Sequence, residues 1–143
     1  KQVCVMTERL NCKAGDAAFV VLVNPSGECL QTAVESRIEP MTHIQTDGLN
    51  VNSVLHGVAG KLDMQKIGGK YSEHGPLKHV DRAISLAKRY LIGTYHQYCS
   101  RARLQLFLDE FSFRFNRRYE WSEHFGRTLL ACVLCPSGLY APF

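Results

Sequence analysis

The chain has 143 residues, of which 45% are apolar and 21% charged, and its net charge is +4. These values are ordinary for one soluble globular domain with one modest core. The longest apolar runs, such as residues 17–23, are far too short to cross a bilayer, and no secretory signal is visible, so we expect a cytoplasmic protein without a membrane partner.

The first half of the chain has the pattern of strands and short helices. Apolar and β-branched runs predict strands over residues 2–10, 18–24 and 42–46, with turns at 12–16 and 24–27. A helix is predicted over 29–37, ending before Pro40, and a short one over 51–57. A weaker strand over 62–67 precedes Gly68 and Gly69, whose loop lacks the Lys-Ser/Thr of a phosphate-binding loop and is expected to be a linker.

The second half has the pattern of helices. Apolar residues at helical spacing predict helices over 77–95, 101–115 and 122–135, and residues 136–143 are expected to form a loose tail. Strands first and helices second favour an α/β fold in which helices pack on a mixed sheet. We therefore expect one domain over residues 1–135, followed by the tail 136–143.

Two acids and one lysine stand out as candidates for chemistry. Asp47 ends an extended run and is followed by Gly48, which places it at the tip of a strand. At about 100° per residue, Asp81 and Lys88 share one flank of the helix predicted at 77–95. Carboxylates on separate elements can hold the cations that stabilise attacking and leaving oxygens at a phosphodiester. The pattern indicates metal-dependent chemistry on a nucleic-acid backbone.

Longer stretches around these residues resemble a known family. Residues 79–96 (HVDRAISLAKRYLIGTYH), residues 106–118 (LFLDEFSFRFNRR) and the Thr46-Asp47-Gly48 segment resemble the ISXO-like insertion-sequence transposases of the DDE superfamily. The resemblance runs from the first strand to Tyr119. It implies an RNase H-like mixed sheet flanked by helices, with three acidic or amide side chains that bind a divalent metal.

The resemblance also implies roles for individual residues. Asp47 and Asp81 would ligate Mg²⁺ or Mn²⁺, and Lys88 would contact DNA near the cut strand. Water would attack a phosphodiester at the end of the element, and the freed 3′-hydroxyl would attack target DNA. A further aspartate is implied on a strand before Lys1, and no segment of the sequence matches it. We therefore expect a fragment whose first strand is missing.

Charge is concentrated in the helical half. Nine of the 17 basic residues lie between positions 78 and 118, against three acids, which favours a polyanionic partner. The partners implied are the DNA of the element ends and the target, and paired ends make a homodimer expected. The candidate DNA-binding residues are Lys78, Arg82, Arg89, Arg117 and Arg118. The alternative is a solvated pair of helices with basic surfaces, and the apolar residues at helical spacing over 104–115 are expected to form core.

Cysteine and histidine patterns add no further site. Only Cys132 and Cys135 have metal-ligand spacing, and they lie in an apolar run where cysteine behaves as a small hydrophobe. The six histidines are scattered without the spacing of a helical zinc site. Three functions remain open: a strand-transferring transposase domain, a catalytically inactive remnant that only binds DNA, and a nuclease of the same fold.

Overall fold

The computed structural model describes residues 2–65, 77–95, 100, 102–119 and 123–134. Within these ranges the chain is α/β, as predicted. The elements in chain order are β1 (Gln2–Leu10), β2 (Lys13–Leu22), α1 (Gly27–Glu35), β3 (His43–Asp47), a 3₁₀ helix (Asn50–Gly57), β4 (Lys61–Gln65), α2 (Lys78–Tyr95), α3 (Leu104–Asn116) and α4 (His124–Leu134). No helix in the described ranges is long and apolar enough to span a bilayer.

The strands β1 and β2 form an antiparallel hairpin. Their pairing runs from Gln2 opposite Leu22 to Leu10 opposite Lys13. Asn11 in the turn has a φ of 53°, a left-handed conformation that asparagine tolerates better than most residues. Because the chain reverses within two residues, β2 begins five residues before the predicted start at 18, and the turn predicted at 12–16 is largely strand.

The four described strands form two small sheets instead of the one expected mixed sheet. β3 pairs in parallel with β4, from His43 opposite Lys61 to Asp47 opposite Gln65. Among the described residues no ladder joins this pair to the β1–β2 hairpin. The strand predicted over 62–67 is present as β4, while residues 66 and 67 and the loop at Gly68 and Gly69 lie outside the described residues.

The hairpin is covered on both faces, which creates two apolar cores. Val3 and Val5 of β1 pack toward α2 and α3, while Cys4 and Met6 pack toward α1 and the 3₁₀ helix. This alternation is the period of a strand that is buried on both sides. The first core consists of Ala17, Phe19, Ala83, Ala87, Leu108, Phe111 and Phe115, and the second of Leu30, Val34, Ile44 and Leu55. The prediction that 104–115 supplies core is confirmed at Leu108, Phe111 and Phe115.

Helix boundaries follow local capping. α1 begins two residues earlier than predicted because Ser26 caps it, its hydroxyl accepting from the Cys29 N–H at 3.3 Å. The short helix at 51–57 is a 3₁₀ helix. α2 matches its prediction within one residue, whereas α3 begins three residues late. Residues 101 and 122, Cys135 and the tail 136–143 lie outside the described residues, and Cys132 is exposed.

Side-chain amides of α3 complete the hydrogen bonding of β2. Asn116 accepts from the Ala17 N–H at 2.8 Å and donates to the Ala17 carbonyl at 3.1 Å. Gln105 accepts from the Val21 N–H at 2.7 Å and donates to the Phe19 carbonyl at 2.8 Å. These two carboxamides occupy the place of a neighbouring strand, so the outer edge of β2 is protected from pairing with other chains.

Replacing Asn116 with Ala should lower the free energy of unfolding by about 1–3 kcal/mol, because the Ala17 N–H and C=O lose their partners in a half-buried position. Urea denaturation measures the change. The matched control is Gln31→Ala, which removes a carboxamide whose exposed hydrogen bond goes to Glu35 on its own helix; it should cost less than about 0.5 kcal/mol. Equal losses in the two variants would mean that the edge contact contributes nothing specific.

Candidate active site

Asp47 is the last residue of β3, where the strand meets the 3₁₀ helix. The amide of Asn52, on that helix, donates to the Asp47 carboxylate at 2.5 Å and to the Asp47 carbonyl at 3.3 Å. Thr46 donates its hydroxyl to the same carbonyl at 2.9 Å. The carboxylate is therefore oriented, and because it offers about four acceptor positions it retains capacity for a cation. Sequence reasoning did not find Asn52, for which the only signal was an amide five residues after the acid.

Asp81 and Lys88 lie on one flank of α2, as predicted. Asp81 is half-buried in the first helical turn, where a negative charge interacts favourably with the helix dipole. Lys88 is exposed two turns later, at a rise of about 10 Å along the axis. Val80 and Ile84, on the adjacent helix face, line the same cleft as Asp47, and Asp81 adjoins that face.

The acids do not belong to a complete ligand cluster in the described ranges. No group of three or more His, Cys, Asp or Glu side chains is placed there to hold a metal ion. His74, His96, Cys99 and Cys135 lie outside the described residues, and the structure gives no side-chain position for His124. The structure thus places Asp47 in the lining of the cleft and Asp81 next to Val80, which also lines it, with Asn52 as the described partner of Asp47.

His79, at the start of α2, is the buried polar residue of this region. The residue is only 8% exposed, and its Nε2 has no hydrogen-bond partner among the described residues. Burial lowers the pKa of His79 below its ordinary value, and the positive charges of Lys78, Arg9 and Arg82 lower it further. The neutral imidazole is therefore the favoured form in the folded protein.

Stability should consequently fall as the pH drops from 7 to 5. The unfolded chain takes up a proton at the ordinary His pKa of 6.5, whereas folded His79 resists protonation, so acid favours the unfolded state. One proton gives a slope of at most about 1.4 kcal/mol per pH unit. Urea denaturation at several pH values in this range gives the free energy of unfolding. The slope of that free energy against pH should be shallower for His79→Gln than for the parent. The control His56→Gln, at an exposed position, should have the same slope as the parent. Parallel curves for the parent and His79→Gln would contradict this assignment.

A basic stripe follows the solvent face of α2. Lys78, Arg82 and Arg89 are exposed and lie within about 40° of one another around the helix axis. The described residues contain no ion pair for any of the three, whereas Arg114 is paired with Glu110 at 2.7 Å. Within the described part of the chain, no acidic side chain therefore neutralises these three cations.

Arg117 and Arg118 are engaged with the protein itself. The Arg117 guanidinium lies 3.8 Å from the centroid of the Phe113 ring and donates to the Phe113 carbonyl at 3.3 Å. Arg118 donates to the carbonyls of Phe115 at 2.7 Å and of Gly15 at 3.2 Å, and to that of Ala14. Arg118 therefore ties the end of α3 to β2, a structural contact that the predicted DNA role did not include.

A tyrosine pair fixes α2 against α3. Tyr95 donates to the Glu110 carboxylate at 2.6 Å and contacts the Tyr90 hydroxyl at 3.4 Å. The hydrogen bond from Tyr95 lowers the pKa of Glu110, with a further contribution from Arg114. Burial raises the pKa of Tyr90. This network holds the helix that carries Asp81, Lys88 and the basic stripe.

Comparison with known proteins agrees with the residue patterns. The family model of the ISXO2-like transposase domain matches residues 1–116, which span β1 through α3. No curated protein and no solved structure matches the chain. The matched segment contains Asp47, Asp81 and Lys88, and it ends at the last residue of α3. The chain belongs to the ISXO2-like transposase domain family, the insertion-sequence transposases of the DDE superfamily.

Proposed function

We propose that this chain is a DDE-type transposase domain that cleaves DNA at the ends of an insertion sequence and transfers the strands to target DNA. The observation that carries the proposal is Asp47, an acid at a strand tip that Asn52 orients beside a cleft adjoined by Asp81. Membership of a transposase family supports the choice of DNA as substrate. An RNase H-like arrangement of the complete sheet is part of the same proposal.

The donor chemistry of the site fits Mg²⁺ or Mn²⁺. Both are hard cations that take carboxylate oxygens, and Mg²⁺ commonly keeps several waters while one or two carboxylates hold it. Asp47 and Asp81 would supply those oxygens. When bound, such a cation neutralises charge that develops on phosphate oxygens during displacement. Asn52 would act as a positioning residue, since its amide donates to the Asp47 carboxylate.

The basic residues supply binding and orientation. Lys78, Arg82 and Arg89 would neutralise phosphates of the duplex along α2. Lys88, on the flank of α2 that carries Asp81, would contact the DNA backbone closest to the two acids. Arg117, which is half-buried at the end of α3, would also contact phosphate. Arg118 would do so only through N–H groups that it does not donate to backbone carbonyls. Phosphate contacts of this kind fix position on DNA and carry no sequence information. Two copies of the chain would hold two element ends together.

A cleavage and strand-transfer assay on labelled DNA tests the proposal. We expect cut and joined products in Mg²⁺ or Mn²⁺ and none in EDTA. Products that are cut but never joined would identify a nuclease instead. Failure to cut, together with salt-sensitive DNA binding, would identify a binding remnant, a candidate favoured by the lack of a three-residue ligand group in the described ranges.

Binding can be tested separately from chemistry. Replacing Lys78, Arg82 and Arg89 together with Gln should reduce the slope of log K against log salt concentration by about 2.7, because each lost phosphate contact contributes about 0.9. Fluorescence anisotropy on duplex DNA measures the slope. Arg114→Gln is the matched control, since that guanidinium is already paired with Glu110. An unchanged slope in the triple variant would remove the basic stripe from the DNA interface.

A further inference from the structure

The helix α4 lies outside the segment that the family model matches. That segment ends at residue 116, and α4 begins at His124. Every side chain of α4 that the structure describes is exposed, and no other described element packs extensively against the helix. An isolated helix of 11 residues is only marginally stable in water, and most helices are stabilised by packing of an apolar face. The exposed face of α4 therefore calls for a partner.

Apolar side chains cover about half of the circumference of α4. At about 100° per residue, Phe125, Leu129 and Val133 form one ridge that spans about 80° around the axis. Leu130 and Leu134 form a second ridge beside it. The five residues are between 54% and 81% exposed. Single apolar residues are normal on a protein surface, but a contiguous patch of them marks an interaction site.

The area of this patch is sufficient for an interface between two copies of the chain. Exposed aromatic and aliphatic side chains contribute on the order of 100 Å² each, so the five present roughly 500 Å² per copy. Two such patches that face each other bury roughly 1,000 Å² in total, the area at which specific interfaces between proteins begin. A polar partner surface would bury only half as much apolar area.

The first ridge is symmetric about Leu129. Phe125 lies four residues before Leu129, and Val133 lies four residues after it. An antiparallel copy of α4, related by a two-fold axis at Leu129, therefore places Leu129 against its own copy and each Phe125 against a Val133. The largest side chain of the ridge then meets the smallest, which keeps the two helices at an even distance. Antiparallel helices also place opposite ends of their dipoles side by side.

The charge of α4 argues against DNA or a lipid surface as its partner. Its sequence contains one arginine and no lysine, and that residue, Arg127, is paired with Glu123 at 2.7 Å. Interfaces with DNA are strongly positive, and helices that lie on membranes are rich in lysine and arginine on their polar face. A contact between two copies of α4 needs no such charge, because both of its surfaces are apolar.

We propose that α4 is a dimerisation helix. Two copies of the chain associate through an antiparallel pair of α4 helices with its two-fold axis at Leu129. This inference deepens the proposed function, because it names the surface through which two copies hold two element ends together. That use of the dimer rests on the proposed function, whereas the contact itself forms between the two proteins without DNA.

Sedimentation equilibrium of the whole chain without DNA tests the contact. At a concentration of about 50 µM we expect a mass of twice the 16.1 kDa of one chain. Leu129→Arg places two guanidinium groups against each other at the two-fold axis and should raise the dissociation constant at least about 50-fold. Thr128→Arg is the matched control, because it adds the same side chain about 100° away around the helix and should change the constant less than about threefold.

A cysteine at the two-fold axis tests the geometry of the contact. Leu129→Cys keeps a small apolar side chain, and oxidation should join residue 129 of the two copies in a disulfide that peptide mass spectrometry identifies. Exposed Cys132 is the internal control. In the antiparallel pair its two copies lie about 9 Å apart along the axis, which is too far for a disulfide, whereas in a parallel pair they lie side by side.

Each outcome supports or overturns the proposal. A monomeric parent chain, a dimer that Leu129→Arg leaves intact, equal losses in the two arginine variants, or a disulfide between two copies of Cys132 would overturn it. Near-ultraviolet circular dichroism reports whether Leu129→Arg is folded; if it is not, the disulfide in Leu129→Cys decides, and its absence overturns the proposal. DNA cleavage by a chain that does not pair through α4 would leave the proposed function intact, so the two failures are distinguishable.

Discussion

Replacing Asp47 with Asn should reduce DNA strand cleavage by at least about 100-fold, which corresponds to about 2.7 kcal/mol of transition-state stabilisation. The substitution keeps the size of the side chain and its contact with Asn52 but removes the negative charge that would hold a divalent cation. Initial rates at saturating DNA, with Mg²⁺ varied, measure the effect. DNA affinity in the absence of metal should stay within a factor of about two.

Asp63→Asn is the matched control for this experiment. Asp63 lies on β4 in the β3–β4 sheet, but its carboxylate is paired with His43 at 2.7 Å and with Lys61 at 3.4 Å. The hydrogen bond from His43 lowers the pKa of Asp63, and Lys61 contributes further. Cleavage should change less than threefold in this variant. Comparable losses in the two variants, or full activity of Asp47→Asn, would exclude Asp47 as a metal ligand.

Replacing Phe111 with Ala should destabilise the protein by about 3–5 kcal/mol, the usual cost of truncating a buried aromatic side chain. Phe111 is buried between α3 and β2, and its ring meets Phe19 edge-on with centroids 5.4 Å apart. It also lies 5.7 Å from Phe115 and 5.6 Å from Tyr90. Truncating the ring would leave a cavity where α2 and α3 meet the β1–β2 hairpin. Guanidinium denaturation measures the loss, which approaches the entire stability of many small domains.

Phe113→Ala separates core packing from the general loss of an aromatic residue. Phe113 is two positions along the same helix, is only half-buried, and carries the guanidinium of Arg117 over its ring. Its replacement with Ala should lower the free energy of unfolding by about 1–2 kcal/mol, because part of the apolar burial and the cation–π contact are lost. A cost equal to that of Phe111→Ala would mean that the two sites share one packing unit.

Local patterns predicted the elements well where one periodicity dominates. β1 and α2 match their predicted limits within one residue, because alternation over 2–10 and helical spacing over 77–95 are long and uninterrupted. Leu108, Phe111 and Phe115 could be assigned to the core for the same reason. Asp47 at a strand tip and Asp81 beside Lys88 also follow from local sequence.

Contacts between distant residues could not be predicted. The separation of the strands into two sheets depends on which edges meet, and edge contacts have no local signature in the sequence. Gln105 and Asn116 bond backbone groups 84 and 99 residues away, and nothing in the amphipathic pattern of α3 distinguishes them from other polar positions. The structural role of Arg118 was missed because its carbonyl partners lie near the hairpin turn, 103 residues earlier.

The pairing of Asn116 with Ala17 has a consequence for folding during synthesis on the ribosome. At about 5–20 residues per second, the 99 residues between them take roughly 5–20 s to synthesise. A hairpin can close in microseconds, so the outer edge of β2 would lack its carboxamide partners for most of the time that translation takes. Nascent chains that meet one another or a chaperone during this interval would do so through an incomplete hairpin. Until Asn116 has been synthesised, the outer edge of β2 is therefore open to pairing with strands of other chains.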